Sequence, residues 1–399
     1  MKLLKYLCLL PFMASCSSEQ TPQELLSVDL RSGMDHPSML ALQDEIESVE
    51  YIPLETTADP ASLLDGVSEY AVTSNYIYVS PVKEQRIVQF DRKGHFIKTL
   101  IPFGQGPGEF SDFLAGMQAD EKNNRLYLFC SNKIMVYTLD GEFVQNLNHD
   151  YMIAYQRMVG KNRFASVAFP YMPFESGSYG LGVFSEKADT IVMKNDFSSP
   201  LVPHEKAGFT IALAMAYSDV EESVLFKSGC NDTVFRVAAD DILPACVLRT
   251  GNSDKEVIRS LDATDFTSLK KKFGEDHDIF VFDMFETPSN YYFRCKYNAG
   301  HYVASVHKKT GQVLAEKCVQ PGDIRALGDA NLLYGMLGTK SYQDFPVWGR
   351  TQGDCLVQLL TAYELHLYKE KCNITVPSEL KEVNDDSNPV FIVYKLRKA

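Results

Sequence analysis

Residues 88–97 read VQFDRKGHFI, and the same pattern returns as VYTLDGEFV at 136–144 and as VHKKTGQVL at 306–314. In each copy, apolar residues that favour β-strands flank a polar turn containing a glycine, which tolerates a positive φ angle. Two short strands joined by such a turn form a β-hairpin. Each of the three copies is therefore predicted to be a hairpin.

The first two hairpins are spaced like parts of a repeat. Their glycines, Gly94 and Gly141, lie 47 residues apart, the length of one four-stranded propeller blade. Each is preceded by another strand-like run, at 76–79 and 126–129, so the repeat includes more than the hairpin. Later β-rich runs lie at 164–169, 182–184, 223–226, 233–237, 279–282, 291–297 and 302–306. Repeated small sheets predict an all-β propeller.

The number of blades is predicted from chain length. Residues 48–399 are assigned to one β-propeller domain, with six blades as the prediction and seven as the alternative. A short helical insertion at 253–273 favours six, because it uses chain length outside the blades. A second helical stretch is predicted at 355–368. The last strand, at 390–394, is expected to pair with residues 49–54 and so close the ring.

The N-terminus predicts export. Two lysines precede an apolar run that is too short to span a bilayer, so residues 1–15 are assigned to a signal peptide. Residues 13–16, Met-Ala-Ser-Cys, are similar to the bacterial lipobox, in which the cysteine is lipidated. Residues 16–47 are then lipidated Cys16 and an N-terminal tether. The expected location is the cell envelope, as an outer-membrane lipoprotein facing the periplasm or the surface; an ordinary signal peptide is the alternative.

Charge and cysteine content restrict the function classes. The formal net charge is −13, which disfavours nucleic-acid binding and limits membrane contact to the lipid anchor. Without Cys8 and Cys16, seven cysteines remain, with no CxxC spacing. A chain of this length does not need disulfides for a stable core, so most of these cysteines are predicted to be buried free thiols.

Four segments resemble a known family. Residues 51–57 (YIPLETT), 103–110 (FGQGPGEF), 231–236 (NDTVFR) and 388–390 (NPV) are similar to segments of six-bladed β-propeller lipoproteins of Gram-negative gut bacteria, an NHL- or TolB-like group. The resemblance covers nearly all of the processed chain. It implies the propeller fold and the lipid anchor, and it brings no catalytic residues.

The glycine-rich part of the second segment is predicted to be structural. It comprises Gly104, Gln105, Gly106, Pro107, Gly108 and Glu109. Neither of the common phosphate-loop spacings is present, and Pro107 removes a backbone donor that a phosphate would use. We expect a tight connection between blades here, with contact to a ligand as the alternative.

No catalytic or metal motif is evident, and the catalytic residues and metal ligands are left open. The eight histidines contain no HxH or HExxH spacing, and no GxSxG motif occurs. Some six-bladed propellers hold an ion in the central channel with side chains from several blades, so an axial calcium or zinc ion remains an alternative. By fold analogy it would imply a lactonase or lyase type of enzyme.

Aromatic residues in predicted loops indicate binding. They are Tyr171, Phe174 and Tyr179 in a Pro- and Gly-rich stretch, and the single Trp348 close to Arg350. Such side chains in loops are typical contacts for ligands and partners. The predicted function is therefore a membrane-anchored propeller that binds a glycan, a peptide or an envelope protein. A purely structural component of a membrane complex is a third hypothesis.

Overall fold

The fold was analysed in a computed structural model of the chain. It describes residues 25–38, 40, 42–106, 108–112, 114–149, 153–168, 181–194, 215–220, 222–228, 232–250, 279–298, 300–317, 350–352, 355–363, 365–366 and 377–398.

The strands form six sheets, each one blade of a β-propeller. Blade I has β3 (Val67–Val72), β4 (Tyr76–Pro81), β5 (Ile87–Asp91) and β6 (Phe96–Ile101). Blade II has β7 (Leu114–Asp120), β8 (Arg125–Cys130), β9 (Lys133–Tyr137) and β10 (Phe143–Asn148). Blade III has β11 (Ile153–Met158), β12 (Arg163–Ala168), β13 (Leu181–Ser185) and β14 (Thr190–Lys194).

Blade IV has β15 (Met215–Val220), β16 (Ser223–Ser228), β17 (Thr233–Ala238) and β18 (Ile242–Arg249). Blade V has β19 (Phe280–Glu286), β20 (Asn290–Tyr297), β21 (Gly300–His307) and β22 (Val313–Lys317). Blade VI combines β23 (Arg350–Gln352), β24 (Cys355–Leu360) and β25 (Val390–Leu396) with β2 (Ile46–Pro53) from the other end of the chain. The prediction of an all-β propeller with six blades, not seven, is confirmed.

The hydrophobic core lies between the blades. Six clusters of buried apolar residues occur, one for each pair of neighbouring blades. Alternate residues of one strand belong to different clusters: Ile392 and Tyr394 face blade V, whereas Phe391 and Val393 face blade I. Because successive side chains of a strand point to opposite faces, both faces of a blade are buried. This explains why middle strands such as β4, β8 and β25 are almost continuously apolar, whereas the outer strand β10 is mostly exposed.

The ring is closed without a covalent bond. Strand β2 pairs antiparallel with β25, with Val49 opposite Tyr394 and Tyr51 opposite Ile392. The predicted pairing of residues 49–54 with 390–394 is therefore confirmed. Just after β2, the backbone N–H of Glu55 donates to the carbonyl oxygen of Gly94 at 2.8 Å, which ties the closing strand to the first hairpin of blade I.

The residues before β2 pack on the outside of three blades. Strand β1 (Ser27–Asp29) adds to blade IV in parallel with β18. The short helix α1 (Arg31–Met34) packs on β22 of blade V, with Met34 buried. A 3-10 turn at Leu42–Glu45 then leads into β2. The packed part of the chain therefore begins N-terminal to the expected domain boundary at residue 48.

The two faces of the propeller carry connections of different length. Strands alternate in direction within a blade, so the first-to-second and third-to-fourth connections lie at one end, which we call the turn face. The remaining connections, including those between blades, lie at the other end, the loop face. Within and between the blades formed by β2 to β25, every connection longer than five residues joins strand ends that lie at the loop face: 54–66, 102–113, 169–180, 195–214, 250–279, 318–349 and 361–389.

The predicted hairpins are confirmed. Gly94, Gly141 and Gly311 are in turns at the turn face with φ values of +88°, +91° and +71°.

The helical prediction for 355–368 is wrong in its first half, because residues 355–360 form the buried strand β24. Among the described residues of this stretch, helical backbone occurs at 362–363 and 365–366. Both conformations bury a short apolar run, so its periodicity did not distinguish them. The predicted insertion at 253–273 lies outside the described residues.

Four of the seven remaining cysteines are described, and none of these four forms a disulfide. Cys130, Cys246 and Cys295 are buried, whereas Cys355 is half-buried. Burial raises the pKa of the Cys130 and Cys246 thiols to about 12. For these four residues the prediction of unbridged thiols is confirmed.

Replacing Gly94 should loosen the ring. A Cβ atom at this position would lie 2.1 Å from the carbonyl oxygen of Pro53, at the end of the closing strand. We expect Gly94→Ala to lower the free energy of unfolding by about 2 kcal/mol more than Gly160→Ala. Gly160 is a matched control because its φ of +83° is similar but the nearest atom would be 3.4 Å away. Equal losses in urea denaturation would contradict this steric account.

The buried thiols should be inert in the folded protein. At pH 8 a thiol with a pKa of about 12 has almost no reactive thiolate, and burial also excludes the reagent. We expect Cys130 and Cys246 to remain unmodified by iodoacetamide while Cys355 reacts, as measured by peptide mass spectrometry. Full modification of all three in denaturant is the control, and rapid native modification of Cys130 would show that the blade interfaces open.

Candidate functional site

Most of the predicted contact residues lie outside the part of the chain that the structure describes. Tyr171, Phe174, Tyr179 and Trp348, like the lipidation site Cys16, lie outside the described residues. Arg350 is the first residue of β23, and only its backbone is described. The strand ends that flank these segments are at the loop face, and the described loops of that face can be analysed directly.

The glycine-rich loop after blade I is held by hydrogen bonds between its own residues. The Glu109 carboxylate accepts a hydrogen bond from the backbone N–H of Gly106 at 2.8 Å, and the N–H of Glu109 donates to the carbonyl of Gly106. The same carboxylate oxygen would lie 1.9 Å from a Cβ at Gly104, so a side chain there would displace the Glu109 carboxylate. Phe110 is buried beneath the loop, whereas Phe103 is 62% exposed. Pro107 lies outside the described residues.

The connection 54–66 is held by one buried amide. The Asn388 side chain donates to the carbonyl oxygens of Glu55 at 2.8 Å and Ser62 at 2.7 Å. Its amide oxygen accepts from the backbone N–H of Leu64 at 2.9 Å. Asn388 lies two residues before the start of β25, so it fixes this loop to blade VI.

A second set of contacts joins this connection to the loop 82–86. The Arg86 guanidinium donates to the carbonyl oxygens of Ala61 at 2.7 Å and Leu63 at 3.0 Å, and it also pairs with Glu84. In return, Asp65 accepts from the backbone N–H of Lys83 at 3.0 Å. The two loops therefore form one supported unit.

Three exposed apolar side chains lie in the connections 54–66, 82–86 and 102–113. Leu63 is 52% exposed and Val82 is 59% exposed, and they belong to the two loops joined by Arg86. The short helix Pro60–Ser62 packs on β6, which leads directly to Phe103. We call Leu63, Val82 and Phe103 the apolar loop patch. Tyr363, also strongly exposed, lies in another connection of the same face.

Polar side chains link the inner strands of blades I to III. The Gln118 amide on β7 accepts from the backbone N–H of Met158 at 2.8 Å and donates to its carbonyl at 3.2 Å. The buried Arg157 guanidinium lies over Gly116 and reaches to 3.9 Å from the Glu69 carboxylate of blade I. A Cβ at Gly116 would be 1.9 Å from this guanidinium. These side chains connect blades where no backbone ladder exists.

The described residues do not assemble a metal site. Within the described ranges, no group of three His, Cys, Asp or Glu side chains could hold an ion. The axial calcium or zinc ion therefore stays a prediction that involves residues beyond those ranges. The structure likewise leaves the catalytic alternative as a hypothesis.

The strongest charge cluster joins blades IV and V. The buried Glu286 carboxylate accepts two hydrogen bonds from Arg236, at 2.8 and 2.7 Å, and pairs with Lys308 at 2.7 Å. Burial by itself would raise the pKa of Glu286, but the bonds and positive charges of Arg236 and Lys308 outweigh it and lower the pKa below its usual 4.5. The bidentate contact is geometrically complete, so we assign the cluster to blade docking.

Sequence reasoning missed Leu63 and Val82. Phe103 was part of a recognised segment, but without a role in binding. Apolar residues in connections are buried or exposed according to the tertiary path of the loop, so no pattern could have selected them. The distinction is visible within one loop, where Leu63 is exposed and its neighbour Leu64 is buried.

The fold and these loops define a six-bladed β-propeller that presents supported loops at one face. The family model described as "Domain of unknown function (DUF4934)" matches residues 25–395, and the chain belongs to this family. The resemblance predicted from the sequence is therefore confirmed at the level of the fold and the family.

The structure is similar to solved structures, of which the first supports the fold. A Bacteroides fragilis protein described as exported is 14% identical, with 94% of this chain and 99% of that chain covered and a TM-score of 0.66. A member of the DUF4221 family from Bacteroides vulgatus is also 14% identical, with 89% and 98% covered and a TM-score of 0.49. The search of curated proteins found no match. In the described part of the chain, no helix is long and apolar enough to cross a membrane.

The Glu286 cluster should make stability depend on pH. Glu286→Gln should cost about 2 kcal/mol at pH 7, because Arg236 and Lys308 lose their buried counter-charge. Because the pKa of Glu286 is lowered in the folded protein, the charged cluster stabilises the fold fully above pH 4.5. This stabilisation is lost as the pH falls through the pKa that Glu286 has in the folded protein. Urea denaturation at several pH values should therefore show the difference between wild type and variant shrinking in acid.

The matched control for this prediction is Asp240→Asn. Asp240 also pairs across two blades, with Lys161, but both side chains are exposed. Because exposed pairs are screened by solvent, we expect no measurable change in stability. A pH-independent difference for Glu286→Gln would contradict the electrostatic explanation.

Proposed function

We propose that this protein is a binding protein of the cell envelope, anchored through lipidated Cys16, whose loop face holds a glycan, a peptide or an envelope protein. The observation that supports it most is the division between the two faces. Within and between the blades, the long connections join strand ends at the loop face. The described connections 54–66 and 102–113 are fixed by hydrogen bonds from Asn388, Arg86 and Glu109, yet they expose Leu63 and Phe103. A rigid scaffold that positions loops in this way is typical of binding proteins.

The anchor is supported by the sequence. Residues 13–16 are similar to the lipobox, with Met13 in place of the more usual leucine, and the described chain begins at Leu25. Nine residue steps from Cys16 to Leu25 span at most about 32 Å, so a lipidated protein would stay close to its membrane. We infer an outer-membrane location, on the periplasmic or the surface side.

Membrane flotation tests the anchor. The full chain, expressed in a Gram-negative host, should float with outer membranes, and Cys16→Ser should move it to the soluble fraction because the acyl chains are lost. Cys355→Ser is the control and should float like wild type. If Cys16→Ser also floats with outer membranes, the lipid anchor is wrong.

The binding role is tested with the processed protein. It should bind specific members of a glycan array or capture an envelope protein by crosslinking, with no turnover of lactone substrates. Metal analysis of the same sample tests the alternative of a metal-dependent enzyme. A stoichiometric ion together with robust turnover would replace the binding role by the metal-dependent enzyme.

A further inference from the structure

We propose that the apolar loop patch, Leu63, Val82 and Phe103, docks a polypeptide segment in which apolar side chains stand beside lysine or arginine. This inference rests on the proposed binding function and names the partner class of its loop face. Three observations carry it: the support beneath the patch, the exposure of its residues, and the charge around it.

The loops that carry the patch are held by side-chain hydrogen bonds. Asn388 makes three hydrogen bonds to the backbone of 54–66, and Arg86 makes two. Glu109 fixes the third loop by accepting from Gly106. Loops held in this way lose little conformational entropy when a partner binds, so the patch is preorganised.

The exposed residues are not needed for packing. Leu64 and Phe110 are the buried anchors of their loops, at 7% and 1% exposure. Leu63 and Phe103 therefore project outward while neighbouring residues supply the core contacts. Leu63 and Val82 belong to loops joined by Arg86, and Phe103 follows the strand on which Pro60–Ser62 packs. Exposed apolar side chains on neighbouring supported loops are typical of interaction sites.

The charges around the patch favour a basic partner. The connections 54–66, 82–86 and 102–113 contain six acidic residues, namely Glu55, Asp59, Asp65, Glu84, Glu109 and Asp112, but only two basic ones, Lys83 and Arg86. Arg86 pairs with Glu84, Lys83 pairs with Asp65, and Lys133 of β9 pairs with Asp112. The surplus of negative charge is therefore carried by Glu55, Asp59 and Glu109. An acidic rim around apolar side chains is complementary to apolar residues flanked by lysine or arginine.

The residue types favour a polypeptide over a sugar. Two of the three patch residues are aliphatic, whereas stacking on a sugar ring requires a flat aromatic face. Aliphatic side chains instead pack against the apolar side chains of a peptide. Binding of a glycan instead of a peptide is therefore a result that the experiments must be able to detect.

The test is a selection from a random linear peptide library displayed on phage, using the full processed chain purified in detergent. Counter-selection uses the double variant Leu63→Asp, Val82→Asp. We expect enriched peptides to combine lysine or arginine with leucine, isoleucine or phenylalanine. Synthetic copies should bind about tenfold more weakly to each single variant, and binding should weaken at high salt.

The matched control is Leu243→Asp. Leu243 is 59% exposed, like Val82, but it lies on the outer strand β18 of blade IV. It should bind the peptides like wild type, and all variants should have unchanged circular dichroism and melting temperature. No enrichment over the counter-selection, enrichment of acidic peptides, or an equal loss with Leu243→Asp would each overturn the inference.

Failure of this inference is distinguishable from failure of the proposed function. Binding on the glycan array that is unaffected by Leu63→Asp and Val82→Asp would leave a binding protein but remove the polypeptide site. Turnover with a bound metal ion, without binding of a peptide or a glycan, would contradict both the polypeptide site and the proposed binding function.

Discussion

The pairing of β2 with β25 is the interaction on which the rest of the structure depends. Each blade buries both faces against its neighbours, so the core exists only while the ring is closed. No covalent bond closes it; the backbone ladder between β2 and β25 does. If this pairing opened, the apolar side chains between blades VI and I would become exposed, at a cost proportional to the area involved.

The candidate site is located at this seam. Asn388, two residues before the start of β25, holds the connection that directly follows β2, and the apolar loop patch is carried by that connection and its neighbours. The contacts that close the ring therefore also position the loops. At the inner strands, Gln118 and Arg157 link adjacent blades through side chains, because neighbouring inner strands do not share a ladder. Gly116 leaves the space that the Arg157 guanidinium occupies, so a side chain at this position would displace it.

Local patterns predicted the blades well. The hairpins containing Gly94 and Gly141 were recognisable because a β-turn with positive φ selects glycine from a few residues of sequence. Closure by residues 390–394 was predictable because an unpaired terminal strand must find a partner at the other end of the ring. The error at 355–360 arose where a short apolar run was equally compatible with helix and strand, and only its pairing with β25 decided between them.

The sequence by itself determined the all-β class, the repeat length, the acidic character and the membership of a propeller family, because these depend on composition and on patterns within one blade. Tertiary structure alone decided which apolar loop residues are exposed, with Leu63 outward and Leu64 inward. It also decided that Arg236 meets Glu286 across two blades and that Asn388 holds a loop more than three hundred residues away in sequence. These contacts join residues that are distant in the chain, and their distances are set by how the blades pack around the ring, which no local pattern encodes.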